Sequence, residues 1–468
     1  MAGLNKYRAY PEYNFANIEG LVQLPSHWEL KQVRYLLKDG AEGTKIGPFG
    51  SSLKLEDMVD DGVQVYGQEN VIKRDFSLGK RRISFNKFKE MGVYEVFFGD
   101  ILITMMGTSG KCEIVPQTAE KGIIDSHLIR VRVNNKLIIP DFFKLLVDES
   151  PEIKHQIKIQ GKGSIMLGLN SGVIRSLYLP LPSISEQKLI LGFLDYETKK
   201  IDNLIEKQQQ LIELLKEKRQ AVISHAVTKG LNPDVPMKDS GVEWLGEVPE
   251  HWTISRYKFC TSRVIVGIAE AATHAYSDSG TPIIRSTNIK EEGLNTTDLL
   301  YLKDEFARQN ESKYLFSNDI VTVRTGYPGI SAVIPETLNG SHCFTNLVST
   351  PLHSQHSKYL TEYLNSAMGK EYFALNGWGS AQKNISVPIL QNFPIAYPDS
   401  KEQREISTFV IDKRDGFSHL LEKADESIRL MQERRTALIS AAVTGKIDVR
   451  DWVAPGTQDV EEPQEATV

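Results

Sequence analysis

The sequence predicts an α+β protein in which one structural unit occurs twice, each copy being a globular domain followed by a long helix. Two observations predict this fold class. The chain repeats itself at a nearly constant offset, and each copy ends in a long helical pattern without proline. Two units are too few for a solenoid. We therefore expect a tandem repeat with pseudo-twofold symmetry within one polypeptide.

The repeat is clearest in residues 215–229, which match residues 431–445 at eight of fifteen positions and at an offset of 216. Residues 99–116 match residues 318–335 at an offset of 219. Short insertions in loops would account for this small drift. The chain is therefore interpreted as one unit of about 220 residues that has been duplicated.

The first part of each unit combines short β-like runs, glycine-rich turns and short helical stretches, which is typical of a compact α+β domain. The second part is a long helix. The predicted order is a first domain at 1–185, a first long helix at 186–228, a linker at 229–252, a second domain at 253–401, a second long helix at 402–446 and an acidic tail at 447–468. We expect this tail to be disordered.

Apolar residues follow helical spacing along both long helices and form one stripe on each. The residues predicted to pair the helices are Leu194, Ile201, Ile205, Ile212, Leu215, Val222, Val410, Phe417, Leu421, Ile428, Met431 and Leu438. The same stripe includes Leu204, Leu211 and Leu420. Because the helices match in length and pattern, we expect an antiparallel coiled coil with one domain at each end. The alternative is that each helix lies across its own domain.

Charge and cysteine content exclude several classes of protein. The formal net charge is −5, and the last eighteen residues hold five acids without Lys or Arg, so residues 1–450 are neutral. A strongly basic nucleic-acid-binding protein is excluded, although local basic patches are not. The three cysteines lie far apart, which excludes a disulfide framework and a thiolate-rich zinc site. No signal peptide or apolar run of membrane-spanning length is present, so we expect a cytoplasmic protein.

Several motifs occur twice and in the same order. They are LPLPSISEQ (179–187) with YPDSKEQ (397–403), RQAVISHAVTKG (219–230) with RTALISAAVTGK (435–446), and SGVEWLGEVPEHW (240–252) with NIEGLVQLPSHW (17–28). A duplicated α+β domain whose copies close with these helices resembles the DNA-specificity subunit of type I restriction–modification systems. The resemblance extends from Leu24 to about Trp452.

The resemblance implies that each globular domain is a target-recognition domain for one half of a bipartite, asymmetric DNA sequence. It also implies that the helices set the spacing between the half-sites. Such a subunit is not an enzyme and holds no cofactor. It assembles with two modification subunits, which methylate adenine using S-adenosylmethionine, and with two restriction subunits, which use ATP and Mg²⁺.

In the first domain, basic residues around a glycine turn suit contact with phosphate or guanine. They are Lys73, Arg74, Lys80, Arg81 and Arg82, and an ordinary solvated hairpin is the alternative. The small-residue loop at 47–54 adds Ser51, Ser52 and Lys54, with a plain turn as the alternative. Lys162 and Ser164 are predicted from their equivalents in the second domain.

In the second domain, Arg324 and Tyr327 follow a β-like run, and Arg324 occupies the position of Met105 in the first domain. Such a difference is expected of two separate DNA readers, although core variation also produces it. Ser380, Gln382, Lys383 and Asn384 form a segment that resembles one found in the family. Gln and Asn can pair with adenine, and helix capping is the alternative.

Other functions have less support in the sequence. Pro140-Asp141 followed by Glu152-Ile-Lys154 formally matches a metal-nuclease pattern, so a DNA nuclease fused to its own recognition domains is the alternative function. Both halves lie in helix-like sequence, and the second unit has no counterpart. Residues 107–111 lack the spacing of a P-loop. A coiled-coil scaffold that binds only protein is the third possibility.

Overall fold

The computed structural model of the chain describes residues 7–18, 21–49, 52–160, 169–269, 273–379 and 382–453. The chain divides into two compact units. Unit 1 comprises residues 1–207 and 427–468, and unit 2 comprises residues 208–426. Each unit therefore contains one globular domain and a part of each long helix.

Unit 1 begins with a hairpin and continues into a domain of mixed strands and helices. Its strands are β1 (Tyr13–Ile18), β2 (Leu21–Pro25), β3 (Glu29–Gln32), β4 (Thr44–Ile46), β5 (Met58–Val59), β6 (Val63–Tyr66), β7 (Arg82–Ile83), β8 (Glu95–Val96), β9 (Ile101–Thr104), β10 (Cys112–Ile114), β11 (Gly122–Ile124), β12 (Leu128–Val131) and β13 (Tyr178–Leu181). Its helices are α1 (Gln68–Ile72), α2 (Phe85–Glu90), α3 (Pro140–Glu149), α4 (Pro151–Gln160), α5 (Ser171–Ser176) and the first part of α6 (Ile184–Lys229).

Unit 2 repeats most of these elements in the same order and adds two short strand pairs. Its strands are β14 (Met237–Asp239), β15 (Glu247–Pro249), β16 (Thr253–Arg256), β17 (Thr261–Val266), β18 (Tyr276–Ser277), β19 (Thr281–Ile284), β20 (Ile289–Lys290), β21 (Gly293–Leu294), β22 (Leu300–Leu302), β23 (Ile320–Thr322), β24 (Thr325–Gly326), β25 (Ser331–Val333), β26 (His342–Cys343), β27 (Leu347–Pro351), β28 (Lys383–Asn384) and β29 (Pro394–Tyr397). Its helices are α7 (Asp304–Gln309), α8 (Ser357–Asn365), α9 (Ala367–Asn376), α10 (Val387–Gln391) and the first part of α11 (Ser400–Val443). The added strand pairs are β20·β21 and β24·β28.

The sheets of the two units have matching strand orders. The sheet β4-β12-β9-β10 of unit 1 corresponds to β17-β27-β23-β25 of unit 2. The sheet β5-β7-β6-β11-β8 corresponds to β18-β22-β19-β26, and each contains one parallel pair, β6·β11 and β19·β26. The short pair β3·β13 corresponds to β16·β29. The duplicated α+β fold predicted from the sequence is therefore confirmed.

The central strands are buried along their whole length because helices and a second sheet cover them. All four residues of β9 and of β12 are buried. In unit 1 the apolar face of α3 contributes Phe142 and Phe143 to the core. In unit 2 the equivalent helix α8 contributes Tyr359 and Tyr363. The single O–H of Tyr359 is shared between the carbonyl oxygens of Val227 and Ala396, at 2.9 and 3.0 Å.

Within unit 1 the first part of α6 runs antiparallel to the last part of α11. Leu194 lies near Ile439 in the wall of one cavity. Further along α6, the carboxylate of Asp202 pairs with Arg435 Nε at 2.9 Å. Residue numbers therefore rise along one helix as they fall along the other. Ile201 and Leu438 lie in the same apolar core.

Within unit 2 the last part of α6 runs antiparallel to the first part of α11. Gly230 lies beside Glu402, while Ala226, one turn earlier, shares a cavity wall with Phe409. Val227 and Val410 belong to one apolar core. Among the described residues no helix is long and apolar enough to cross a membrane.

The predicted stripe differs in part from the buried face. Leu194, Ile201, Ile212, Val410 and Leu438 are buried, and the other predicted pairing residues are half-buried, namely Ile205, Leu215, Val222, Phe417, Leu421, Ile428 and Met431. Leu204, Leu211 and Leu420 are 55%, 43% and 49% exposed, so they lie outside the buried face. Near the end of α6 the buried residues are Ile223, Ala226 and Val227 rather than Val222, because this end packs on its domain as well as on α11.

The buried carboxylate of Glu186 joins the start of α6 to the first hairpin region. It accepts hydrogen bonds from Trp28 Nε1 at 3.0 Å and from the Tyr10 hydroxyl at 2.6 Å, and His27 Nε2 lies at 3.1 Å. The next residue, Gln187, accepts from the backbone N–H of Ile139 at 2.9 Å. The Glu-Gln pair therefore fixes the helix to two separate parts of unit 1.

The same arrangement recurs in unit 2. Glu402 accepts from Trp252 Nε1 at 3.2 Å, and His251 Nε2 lies 2.8 Å from its other oxygen. Gln403 accepts from the backbone N–H of His356 at 2.8 Å. The repeated Glu-Gln and His-Trp motifs are thus partners of each other in both units.

For two segments the structure differs from the prediction. The segment 229–252, predicted as a linker, contains the hairpin β14·β15, which packs at the end of α6 through Lys229. The tail predicted to begin at 447 starts later, because Ile447 and Val449 are buried in the core of unit 1. The predicted disorder of the tail concerns mainly residues 454–468, which lie outside the described residues. The long helices span Ile184–Lys229 and Ser400–Val443, against the predicted 186–228 and 402–446.

Candidate nucleic-acid interface

In unit 2 the structure brings two predicted segments together. Strand β24 pairs antiparallel with β28, which places Thr325 opposite Asn384 and Gly326 opposite Lys383. The backbone N–H of Ile385 donates to the Arg324 carbonyl at 3.0 Å. The predicted residues Arg324, Tyr327, Gln382, Lys383 and Asn384 therefore share one surface, although they are far apart in sequence. Ser380 lies outside the described residues.

The side chains on this surface differ in how free they are to meet a ligand. Tyr327 is 81% exposed, and Gln382 is exposed. In the described part of the chain, the Arg324 guanidinium has no hydrogen-bond or ion-pair partner. Asn384 is held locally, because its Oδ1 accepts from Thr325 Oγ1 at 2.5 Å and its Nδ2 donates to the Gln382 carbonyl at 3.3 Å. Gln382 is therefore better placed than Asn384 to read a base edge.

Trp378 belongs to the same surface and was missed by the sequence analysis. Its backbone exchanges two hydrogen bonds with Asn384, at 3.0 and 2.8 Å, and its side chain is 58% exposed. The available signal was the repeat itself, because Trp378 stands where the first unit has Lys162. An exposed indole beside Gln382 can stack on a base or a sugar.

In unit 1 the basic cluster is divided between paired arginines and free lysines. Arg81 Nη2 lies 2.9 Å from the Asp125 carboxylate, and Arg82 Nη1 lies 2.8 Å from Glu120. The hydrogen bond to Glu120 raises the pKa of Arg82. Lys73 and Lys80 are exposed, and their ammonium groups have no hydrogen-bond or ion-pair partner within the described ranges. Because a paired arginine carries less net charge to a phosphate, these lysines are the stronger electrostatic candidates.

Arg74 lies in a different environment from the rest of the cluster. Its backbone adopts the left-handed region with φ of 56°. Its guanidinium lies 3.6 Å from Glu113, 3.6 Å from Glu149 and 3.9 Å from the buried Asp148. Arg74 therefore belongs to an ion-pair network that joins the α1 turn to α3.

The loop at 47–54 lies next to the site of Arg81. A side chain on Gly47 would place its Cβ 1.7 Å from the Asp125 carbonyl oxygen, so only glycine permits this approach. Ser52 donates its backbone N–H to the Phe49 carbonyl, and Lys54 Nζ pairs with Glu56 at 2.9 Å. Ser51, Lys162 and Ser164 lie outside the described residues.

The residues of the alternative nuclease pattern do not form a shared site. Asp141 lies on α3 and Glu152 on α4, as their helix-like sequence indicates. Glu152 Oε1 accepts from Ser440 Oγ at 2.5 Å and lies 3.5 Å from Lys446 Nζ. Burial acts to raise the pKa of Glu152, but the hydrogen bonds that its carboxylate accepts and the charge of Lys446 outweigh burial and lower this pKa overall. Glu152 thus fastens the end of α11 to unit 1.

Comparisons with known proteins all lead to the same family. The family model for the type I restriction modification DNA specificity domain matches residues 64–214 and 270–427. The MjaVIII specificity subunit of Methanocaldococcus jannaschii is 23% identical over 94% of this chain and 98% of its own length. The EcoBI specificity subunit of Escherichia coli is 22% identical over 67% of this chain and 66% of its own length.

Solved structures show the same fold. A chain from a study of complex assembly and conformational transition in the type I R-M system aligns with a TM-score of 0.66 and 14% identity, covering 91% of this chain and 99% of that one. The HsdS subunit from Thermoanaerobacter tengcongensis aligns with a TM-score of 0.53 and 14% identity over 91% and 98% of the two chains. With two matched regions that together span more than half of its length, this chain belongs to the type I restriction–modification DNA specificity family.

Proposed function

We propose that this chain is the DNA specificity subunit of a type I restriction–modification complex and that each unit reads one half of a bipartite target. This proposal rests on one observation: the two units have the same scaffold but different residues at matched loop positions. The two units share their sheet orders. At matched loop positions, however, unit 1 has Met105 and Lys162 where unit 2 has Arg324 and Trp378. A common scaffold with different residues at matched positions is what two readers of different base sequences would have, although Met105 itself is buried in the core of unit 1.

The chain contributes recognition and assembly to the complex, and catalysis belongs to its partners. We propose that two modification subunits bring S-adenosylmethionine chemistry and that two restriction subunits bring ATP-dependent cleavage with Mg²⁺. The near-neutral charge supports shared DNA binding. Residues 29–183 hold 22 basic and 19 acidic side chains, and residues 253–401 hold 13 of each. Partner subunits would supply further phosphate contacts.

The test is methylome sequencing of a host that expresses the chain with its modification subunits. We expect one methylated motif with two specific halves separated by an unspecified spacer. A contiguous motif, or the absence of new methylation in a host with an assembled complex, would overturn the proposal. Controls with each subunit omitted assign the methylation to the complex.

The alternative nuclease is tested with the isolated chain, DNA and Mg²⁺. We expect no cleavage, because Glu152 is engaged by Ser440 and Lys446 within unit 1. Cleavage that is lost in Glu152→Gln would instead support the nuclease. The protein-only scaffold is tested by a gel shift of duplex DNA with the chain and its modification subunits. Binding by the complex that exceeds binding by the modification subunits alone argues against this scaffold.

A further inference from the structure

Unit 1 contains a cavity of about 350 Å³ between the 107–111 loop and helix α4. Its wall combines cationic and apolar side chains. The cations are Lys111, Lys154 and Lys158, and the apolar part includes Ile157 and Leu169. None of the described residues that line it was predicted to contact DNA.

The matching place in unit 2 is filled. Gly110 corresponds to Gly329, and Ile157 corresponds to Phe373. A Cβ on Gly329 would lie 2.2 Å from the Phe373 ring, whereas a Cβ on Gly110 meets only the Ile157 side chain at 3.7 Å. An aromatic ring therefore occupies in unit 2 the space that is open in unit 1.

The charges at the two places also differ. Lys111 and Lys158 correspond to Ile330 and Ala374 in unit 2. Lys111 Nζ pairs with the buried Asp148 carboxylate at 2.8 Å. Lys154 and Lys158 are exposed, and no carboxylate partner is found for either among the described residues. The cavity therefore carries two uncompensated positive charges beside an apolar wall.

The loop at the edge of the cavity corresponds to a loop of the candidate interface in unit 2. Gly107 lies at the edge of the cavity and corresponds to Gly326, which pairs with Lys383 in the candidate interface of unit 2. A ligand at this position would be anionic and would carry an apolar portion. The sugar–phosphate backbone of DNA has both properties, and proteins contact it mainly through basic side chains.

We propose that this cavity binds a sugar–phosphate unit of duplex DNA beside the half-site that unit 1 reads. Lys154 and Lys158 neutralise the phosphate, and the wall formed by Ile157 and Leu169 receives the deoxyribose. This inference rests on the proposed function. In this proposal unit 1 contacts the DNA backbone at a place where unit 2 does not. DNA binding by unit 1 should therefore depend more strongly on salt concentration than DNA binding by unit 2.

The first experiment compares the wild-type complex with Lys154→Ala/Lys158→Ala on duplex DNA that carries the methylated motif. Each phosphate contact contributes about 0.9 to the slope of log affinity against log salt concentration. We expect the double variant to lower this slope by about 1, as the loss of one phosphate contact requires, and to leave the methylated motif unchanged. The matched control is Lys370→Ala, because Lys370 corresponds to Lys154 but pairs with Glu291 at 2.8 Å. An unchanged slope in the double variant would overturn the proposal.

The second experiment uses Ile157→Phe, which fills the cavity as Phe373 does in unit 2 and changes no charge. We expect weakened DNA binding and a smaller salt slope with unchanged thermal unfolding. Wild-type binding by this variant, together with weakened binding by the lysine variant, would place the lysines on an outer surface and refute the cavity. A bipartite motif for the wild-type complex tests the proposed function independently of both variants.

Discussion

The buried Glu186 carboxylate yields a prediction for the stability of unit 1. Glu186→Ala leaves the indole N–H of Trp28 and the hydroxyl of Tyr10 without their acceptor, and these residues are 7% and 3% exposed. Burial and the nearby carboxylate raise the pKa of Tyr10, so its phenol is a donor throughout the physiological range. Each buried donor left unsatisfied costs about 1–3 kcal/mol, so the expected loss is about 2–6 kcal/mol.

The variant Glu402→Ala gives an internal comparison. Glu402 is 29% exposed, and only Trp252 loses a buried bond, so we expect a smaller loss of about 1–3 kcal/mol. Glu186→Gln keeps an acceptor oxygen for Trp28 and should lose less than Glu186→Ala. The surface variant Glu217→Ala is the control for helix propensity.

The assay is chemical denaturation combined with hydrogen exchange, which assigns the loss to unit 1 or unit 2. Glu186→Ala should increase exchange in the segment around Trp28 and at the start of α6. Losses in Glu186→Ala that do not exceed those in Glu217→Ala would refute the structural role of this carboxylate.

Three further predictions concern unit 2 and the helices. Asp319 is fully buried and lies 2.8 Å from Arg263, so Asp319→Ala should lower the free energy of unfolding by about 3–5 kcal/mol. Chemical denaturation measures this loss, and a loss below about 1 kcal/mol would contradict the prediction. Burial lowers the pKa of His342 below its usual 6.5, so the unfolded chain binds a proton at this residue more readily than the folded chain does. The free energy of unfolding should therefore be highest above about pH 6.5 and should decrease as the pH falls below that value. The same acid dependence in His342→Phe would refute this origin. Heptads inserted after both Gln209 and Asp425 lengthen each helix by about 10 Å, so the methylated motif should gain about three base pairs of spacer; an unchanged spacer would show that the helices do not set it.

The duplicated fold could be predicted from the sequence because both copies keep the same motifs at nearly constant offsets. Those motifs did not reveal their contacts. Glu186 and Trp28 were each part of a repeated motif, yet 158 residues separate them, and helical periodicity contains no information about such a pair. Helix periodicity also placed Leu204 and Leu211 on the stripe, whereas they are exposed because the buried face is narrower than the apolar pattern.

Individual residues of the candidate interface could be predicted from the sequence. Their position on one shared surface could not. The residue types of Arg324 and Gln382 suggested DNA contact, and the β24·β28 pairing then placed their segments side by side. The ion pairs of Arg74, Arg81 and Arg82 could not be foreseen, because their acidic partners lie far from them in the sequence. The cavity beside Lys154 depends on an isoleucine in place of phenylalanine, which becomes meaningful only when both units are compared.

The central claim is that each unit reads its own half-site, and a domain exchange tests it most directly. Residues 253–401 would be replaced by the corresponding domain of another specificity subunit, and the methylome of a host expressing the assembled complex would be sequenced. The account predicts that one half of the methylated motif changes while the other half keeps its bases. Changes in both halves, or a motif identical to that of the parent, would contradict it.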